Sequence, residues 1–280
     1  MSFEDLPAQP SMFPLADEYG QTALQRGRDA LAQVNATQDI AFGDDYWQKL
    51  DVFGPKGGGS NLPVLLFFHG GGSTHGYKEW CTFMAPAVTT TPAIFVSASY
   101  RLIPHADYDG LMADSRAALA WIHQNIGKFG GDPGRIWVGG HSAGGQIAAI
   151  LTLDPSSDPQ AGQVQGCFPI SGTFGKDNVM PKNAAGEIIS TVPIIPPLSL
   201  VKDRSGPFYI AWGDREDEKI QRWGREMAAA LQAVGTEVEA AAYPGDDHFT
   251  IHLNTGNPQD TWTSTVARWM NTKTNQDHQA

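Results

Sequence analysis

Cysteine is scarce in this 280-residue chain. There are two, Cys81 and Cys167, far apart and outside any C-x-x-C pattern. That excludes a disulfide scaffold and predicts two reduced, buried thiols. Basic charge is also short: 30 Asp and Glu outweigh 19 Lys and Arg, for a net charge of −11. An acidic surface disfavours nucleic acid and anionic membranes as partners. No apolar run approaches the length that spans a bilayer. The N-terminal MSFEDLPAQP has no basic stretch leading into an apolar core. No secretory signal is therefore expected, and the expected location is the cytoplasm. Internal repeats and low-complexity tracts are missing. No G-x-G-x-x-G follows an early strand, which argues against a dinucleotide; Gly57-Gly58-Gly59 reads as part of a turn. His69, His75 and Cys81 lack the spacing of metal ligands. No cofactor and no metal are expected.

What is present is an alternation of strand and helix patterns. Leu15 to Val34 reads as helix. Tyr46 to Phe53 alternates and predicts an antiparallel edge strand, followed by the turn GPKGGGSN. Val64 to Phe68 and Ala93 to Ser99 are continuous apolar runs, as central parallel strands require. Asp114 to Phe129 reads as helix, Ile136 to Val138 as strand, and Ile147 to Leu153 as helix. Further strands are expected at Val164 to Ile170, Pro207 to Trp212 and Val238 to Tyr243. Helices are expected at Lys219 to Val234 and Thr261 to Met270. Such alternation predicts a mostly parallel α/β sheet, here of about eight strands with helices on both faces.

One stretch organises the rest. Arg135 to Gly145 reads RIWVGGHSAGG: an apolar strand, the G-x-S-x-G pattern at Gly140 to Gly144, then a helix. Strand, tight turn and helix is the context that makes this pattern informative, because the strained turn lifts the Ser142 hydroxyl above the sheet. In open α/β sheets, sites form at the carboxyl ends of the strands. Those ends carry His69-Gly70-Gly71-Gly72, Ser142, the GDREDE segment with Asp214, Glu216 and Asp217, and Gly245 to Phe249 with His248. A serine, a carboxylate and a histidine thus follow one another in chain order.

That order, with HGGG upstream, resembles the esterase/lipase branch of the α/β-hydrolase superfamily, including hormone-sensitive-lipase-like and arylformamidase-like enzymes. The resemblance covers roughly Leu50 to Met270. It rests on HGGG at His69–Gly72, SYRL at Ser99–Leu102, GGDPGRI at Gly130–Ile136, GHSAGG at Gly140–Gly145 and DHF at Asp247–Phe249. It implies an α/β-hydrolase fold with a small lid or cap. It also implies a serine hydrolase that forms an acyl-enzyme on Ser142 with His248 as general base. The oxyanion hole would be the backbone N–H groups of Gly71, Gly72 and Ala143. The family register favours Glu216 as the acid. The family more often has Asp there, so Asp217 stands as rival and Asp214 as third candidate. The resemblance also makes Asp114, at an expected helix start, a structural partner of Arg101. His69 is expected to orient the oxyanion loop, and His141 to point away from the chemistry.

Residues 1–40 read as a partly helical extension that could cap the site. Residues 41–273 form the expected catalytic domain, with the proline-interrupted stretch 172–205 as candidate lid and 274–280 as tail. The expected substrate is a small to medium carboxylic ester; the alternative is an amide, such as an aryl formamide of the N-formylkynurenine type. A non-catalytic ligand-binding protein on this scaffold is a remote third reading. Monomer and homodimer are both open.

Overall fold

The computed structural model describes residues 3, 5–154, 164–177, 187–190 and 192–272. Its framework is an eight-stranded sheet in the order β1-β2-β4-β3-β5-β6-β7-β8. The strands are β1 (Asn35–Ala41), β2 (Lys49–Gly54), β3 (Leu62–Phe68), β4 (Ile94–Ala98), β5 (Gly131–His141), β6 (Cys167–Ile170), β7 (Phe208–Gly213) and β8 (Val238–Tyr243). Strands β1 and β2 pair antiparallel, β2 and β4 likewise, and every other neighbouring pair is parallel. With helices on both faces, this is the α/β-hydrolase fold that the sequence predicts.

The strand pleat sorts side chains into two cores. Val64, Leu66 and Phe68 of β3 face a cluster with α3 (Tyr108–Asn125), α4 (Ala143–Leu153) and α5 (Glu218–Ala233). Leu65 and Phe67 face the other way, onto α1 (Pro14–Leu31), α2 (Ala85–Thr90) and α7 (Thr261–Thr272). This second core is rich in aromatics, among them Trp80, Trp137, Trp262 and Trp269. Fully burying each large apolar side chain stabilises the fold by about 1.5–3 kcal/mol.

Two expectations need correction. The strand expected over Tyr46 to Phe53 is not at the edge. It begins at Lys49, and β1 lies outside it. The helix expected from Asp114 begins at Tyr108, where Asp107 accepts a hydrogen bond from Gly110 N at 2.8 Å. Asp114 is therefore inside α3 and buried, where it takes Arg101 bidentately at 2.7 and 2.8 Å. The candidate lid lies partly outside the described residues, as does most of the tail. Its described ends are anchored, with Asp177 accepting from Trp223 Nε1 at 2.7 Å and Leu198 N donating to Phe174 O at 3.1 Å. Among the described residues, no helix is long and apolar enough to cross a membrane.

Candidate active site

Register brings the carboxyl ends of the strands into one row. Phe68 of β3 aligns with Gly140 of β5, so the HGGG loop emerges beside the Ser142 turn. His141 aligns with Ile170 of β6, Ile170 with Ala211 of β7, and Gly213 of β7 with Tyr243 of β8. The segments after these strands carry the serine, the carboxylates and the histidine.

Ser142 has φ 55° and ψ −116°, a strained backbone for a residue with a side chain. The turn closes only because its flanks are glycine. A Cβ on Gly140 would lie 2.2 Å from the Gly144 carbonyl, and one on Gly144 would lie 2.1 Å from Phe68 O. The hydroxyl of Ser142 donates to His248 Nε2 at 3.0 Å, and His248 Nδ1–H donates to Glu216 Oε2 at 2.7 Å. Glu216 has its side chain fully buried, and its Oε1 accepts from Ser171 Oγ at 2.9 Å and Gly213 N at 2.8 Å. Buried carboxylates need such donors, because an unpaired one is strongly destabilising.

The structure separates the three acids. Asp217 does not reach His248. It is exposed and caps α5, accepting from Lys219 N at 2.7 Å, where a carboxylate also complements the helix dipole. Asp214 is exposed too and accepts from Gly245 N at 2.8 Å. Placing Asp217 beside Glu216 as a catalytic candidate is thus corrected by side-chain direction.

His248 sits in a stiff turn. Asp247 Oδ1 accepts from Phe249 N and Thr250 N, and Asp247 N donates to Thr250 Oγ1 at 2.8 Å. Burial alone would raise the Asp247 carboxyl, but these hydrogen bonds hold it below its ordinary value.

The HGGG loop lies against the serine: a Cβ on Gly70 would stand 3.2 Å from Ser142 Cβ. Gly71 and Gly72 have φ of 111° and 62°. A Cβ on Gly71 would lie 2.1 Å from His75 O, so the position admits only glycine. Among the described residues, neither the Gly71 nor the Gly72 N–H donates a hydrogen bond. Ala143 begins α4, directly after Ser142. His69 is fully buried, pairs through Nδ1 with Gly70 O at 2.7 Å and stacks on Tyr100 at 4.4 Å. Burial pulls it down to about 4, so it is a neutral brace for the loop.

His141 does not point away from the chemistry, contrary to expectation. Its Nε2 lies 2.7 Å from His248 O. His252, one turn beyond His248, is fully buried behind it, with Nδ1 2.8 Å from Tyr19 Oη of α1. The N-terminal segment also reaches the site. Gln9 binds both N and O of Gly76, Met12 Cε lies 3.8 Å from the position of a Cβ on Gly72, and the Phe13 ring is 6.1 Å from Phe249. Sequence reasoning missed Ser171, although its signal was available: it directly follows a strand end, as the other site residues do. Among the described residues, no three His, Cys, Asp or Glu side chains are grouped to hold a metal ion.

Relatives and solved structures agree with this architecture. A kynurenine formamidase of Danio rerio is 24% identical over 247 residues, which covers 82% of this chain and 80% of that protein. Carboxylesterase NlhH of Mycobacterium tuberculosis is 43% identical over 101 residues, but these are 36% of this chain and 32% of that protein. The fold is similar to a hyperthermophilic esterase from Pyrobaculum calidifontis, with a TM-score of 0.70, 20% identity and coverage of 91% and 92%. It is also similar to EstE1, a carboxylesterase cloned from a metagenomic library, with a TM-score of 0.69, 21% identity and coverage of 95% and 97%. The model of the carboxylesterase family matches residues 48–192, a stretch that contains both the HGGG loop and the Ser142 turn. With just over half of its length matched in this way, the chain belongs to the carboxylesterase family.

Proposed function

We propose that this protein is a serine hydrolase that cleaves small to medium carboxylic esters through an acyl-enzyme on Ser142. The observation that carries the reading is the unbroken chain from Ser142 Oγ to His248 Nε2 at 3.0 Å and from His248 Nδ1 to Glu216 Oε2 at 2.7 Å. A serine hydroxyl is a weak nucleophile at neutral pH and needs an adjacent base. His248 takes its proton as Oγ attacks the ester carbonyl, then gives it to the leaving alkoxide. Glu216 holds the Nδ1–H tautomer and stabilises the imidazolium that forms. The N–H groups of Gly71, Gly72 and Ala143 bind the developing oxyanion; each such donor is worth about 3 kcal/mol in the transition state. Water then enters, His248 activates it, and the acid is released. Everything required is supplied by the chain and water.

Substrate chemistry follows from the walls. A groove of about 430 Å³ runs between Ile103-Pro104 and the segment with Ile188, Ile189 and Val192. It adjoins the oxyanion loop, because Ile103 N donates to Ser73 O at 2.9 Å. Its described lining is mixed, mostly aliphatic side chains with Ser190 and one carboxylate, Asp107, and no cation. That supports an uncharged acyl or alcohol group over an anionic one. The amide alternative has one observation in its favour: the formamidase relative aligns along four-fifths of both chains. The same three residues would serve, with an amine as the leaving group.

The test is a side-by-side assay of wild type and Ser142→Ala on p-nitrophenyl acetate, p-nitrophenyl octanoate and N-formylkynurenine, with fluorophosphonate labelling. Labelling and turnover are expected to vanish together in the variant, with the esters preferred in wild type. Preference for N-formylkynurenine would replace the ester reading by the amide one. A wild type that neither labels nor turns over any of the three would remove the catalytic reading.

A further inference from the structure

The imidazole of His141 lies immediately before the serine, at the end of β5, and is 1% exposed. A polar ring at such a depth costs stability unless it is bonded. Its Nε2 is 2.7 Å from the backbone oxygen of His248. A carbonyl only accepts, so Nε2 carries the proton and Nδ1 is the bare nitrogen. Nδ1 has no hydrogen-bond partner, and it sits where a Cβ on Gly70 would approach to 2.9 Å. Leaving such an atom unpaired costs about 1–3 kcal/mol, which Leu or Phe at this position would avoid.

The ring is clamped on its other side. It stacks on His252 at 4.7 Å and 10°, while the His248 ring is 4.8 Å away. His252 stacks in turn on Phe67 at 5.5 Å and 5°. Its Nδ1 is tied to Tyr19 Oη of α1. Tyr19 also lies 4.9 Å from the Phe249 ring. Burial, with the neighbouring His252 and His248 acting in the same direction, holds His141 well below its ordinary pKa and hence neutral.

We propose that His141 is a positioning residue for the reaction. Its Nε2–H grips the carbonyl of His248 and fixes that imidazole between Glu216 and Ser142, while His252 and Tyr19 of α1 clamp the His141 ring from behind. The proposal rests on the reading of Ser142 as nucleophile and His248 as base. It gives α1 a role in the chemistry beyond covering the sheet. The His248 ring is held by one hydrogen bond at each nitrogen, and one of these must break and re-form in every turnover. The grip on the main chain persists throughout. Displacing a catalytic group by about 1 Å can cost 100-fold in rate.

Two amide variants isolate the grip. The side-chain nitrogen of Gln reaches the place of Nε2, whereas that of Asn reaches only as far as Nδ1. His141→Asn is expected to lower kcat on p-nitrophenyl acetate by about 10- to 100-fold with KM within twofold, in line with the cost of misplacement. His141→Gln is expected to recover most of that loss. The rate of fluorophosphonate labelling should follow kcat. Independently of any variant, the ¹⁵N spectrum of the wild-type histidines should show His141 as the neutral Nε2–H tautomer from pH 7 to 5. Equal losses in the two variants, full activity in His141→Asn, or an Nδ1–H tautomer would each overturn the proposal. If thermal melting shows that the variants do not fold, the tautomer decides. Activity retained by Ser142→Ala would remove the underlying reading and this proposal with it. Loss in Ser142→Ala beside an unimpaired His141→Asn would overturn the positioning role alone.

Discussion

Glu216 and Asp217 are neighbours with the same charge, yet their surroundings are opposite. Glu216 is buried among three donors, from His248, Ser171 and Gly213, while Asp217 is in solvent at the start of a helix. Glu216→Gln keeps the size and removes the acceptor that holds the Nδ1–H tautomer. It is expected to lower kcat by about 10³–10⁴, as loss of the equivalent tautomer control does in serine proteases. Asp217→Ala is expected to keep kcat within about threefold and to cost about 1 kcal/mol of stability through loss of the cap. Steady-state kinetics and urea titration of both variants check this pair, and the reverse pattern would return the acid to Asp217. Ser142, His248 and the HGGG loop were legible in the sequence because the glycines and the strand ends advertise them. The choice of acid was not. It depends on which carboxylate turns inward, and that is decided by the nearby amide of Gly213 and by Ser171, which lies 45 residues from Glu216 in sequence.

Helix α4 approaches the sheet more closely than any side chain at Gly144 would allow. The obstacle is Phe68 O, backbone in the central strand, which cannot rotate aside. Gly144→Ala must therefore shift the whole helix and with it the serine turn. It is expected to destabilise the fold by about 3 kcal/mol and to cost most of the activity. Gly127→Ala is the control: nothing lies within 4 Å of its Cβ position, so no loss beyond about 0.5 kcal/mol is expected. Equal stability of the two variants in urea would contradict the close approach. Buried elements such as β3 and β5 could be read from their apolar runs. Strand β1 could not, because NATQDIA carries no apolar face and each of its residues is exposed or half-exposed. It is a strand only because it completes the edge of β2. The first turn of α3 was hidden in the same way. Gly110 reads as a breaker there, and the capping carboxylate of Asp107 outweighs it.

Titratable groups buried in the fold set how the molecule responds to acid. The aromatic core on the α1 side closes over His141 and His252, and His69 is buried at its edge beside Trp80. Burial pulls His69 to about 4 and His252 to about 3, and pulls His141 down as well. In the unfolded chain each returns to about 6.5. Between pH 6.5 and 4 the unfolded state therefore binds more protons than the folded one, so stability falls as the pH falls. On the other side of the balance, burial raises the carboxyls of Asp51 and Glu79 despite their contact with Lys78. Protonating them in the fold relieves the cost of buried charge, so their contribution runs the opposite way. Burial also lowers His75 and His123 and raises Asp260, so five lowered histidines against three raised carboxyls leave the histidines in control. At pH 5 His69 and His252 alone take up about two protons on unfolding, which lowers stability by about 2 kcal/mol between pH 6 and pH 5. For a domain with a total of about 5–15 kcal/mol this is a large share. Urea unfolding at pH 7, 6, 5 and 4.5 measures the slope, and Glu79→Gln should leave its sign unchanged. Stability that stays level or rises on acidification would mean that the Lys78 cluster governs instead. The histidines around the serine would then have no part in setting the acid limit of the fold.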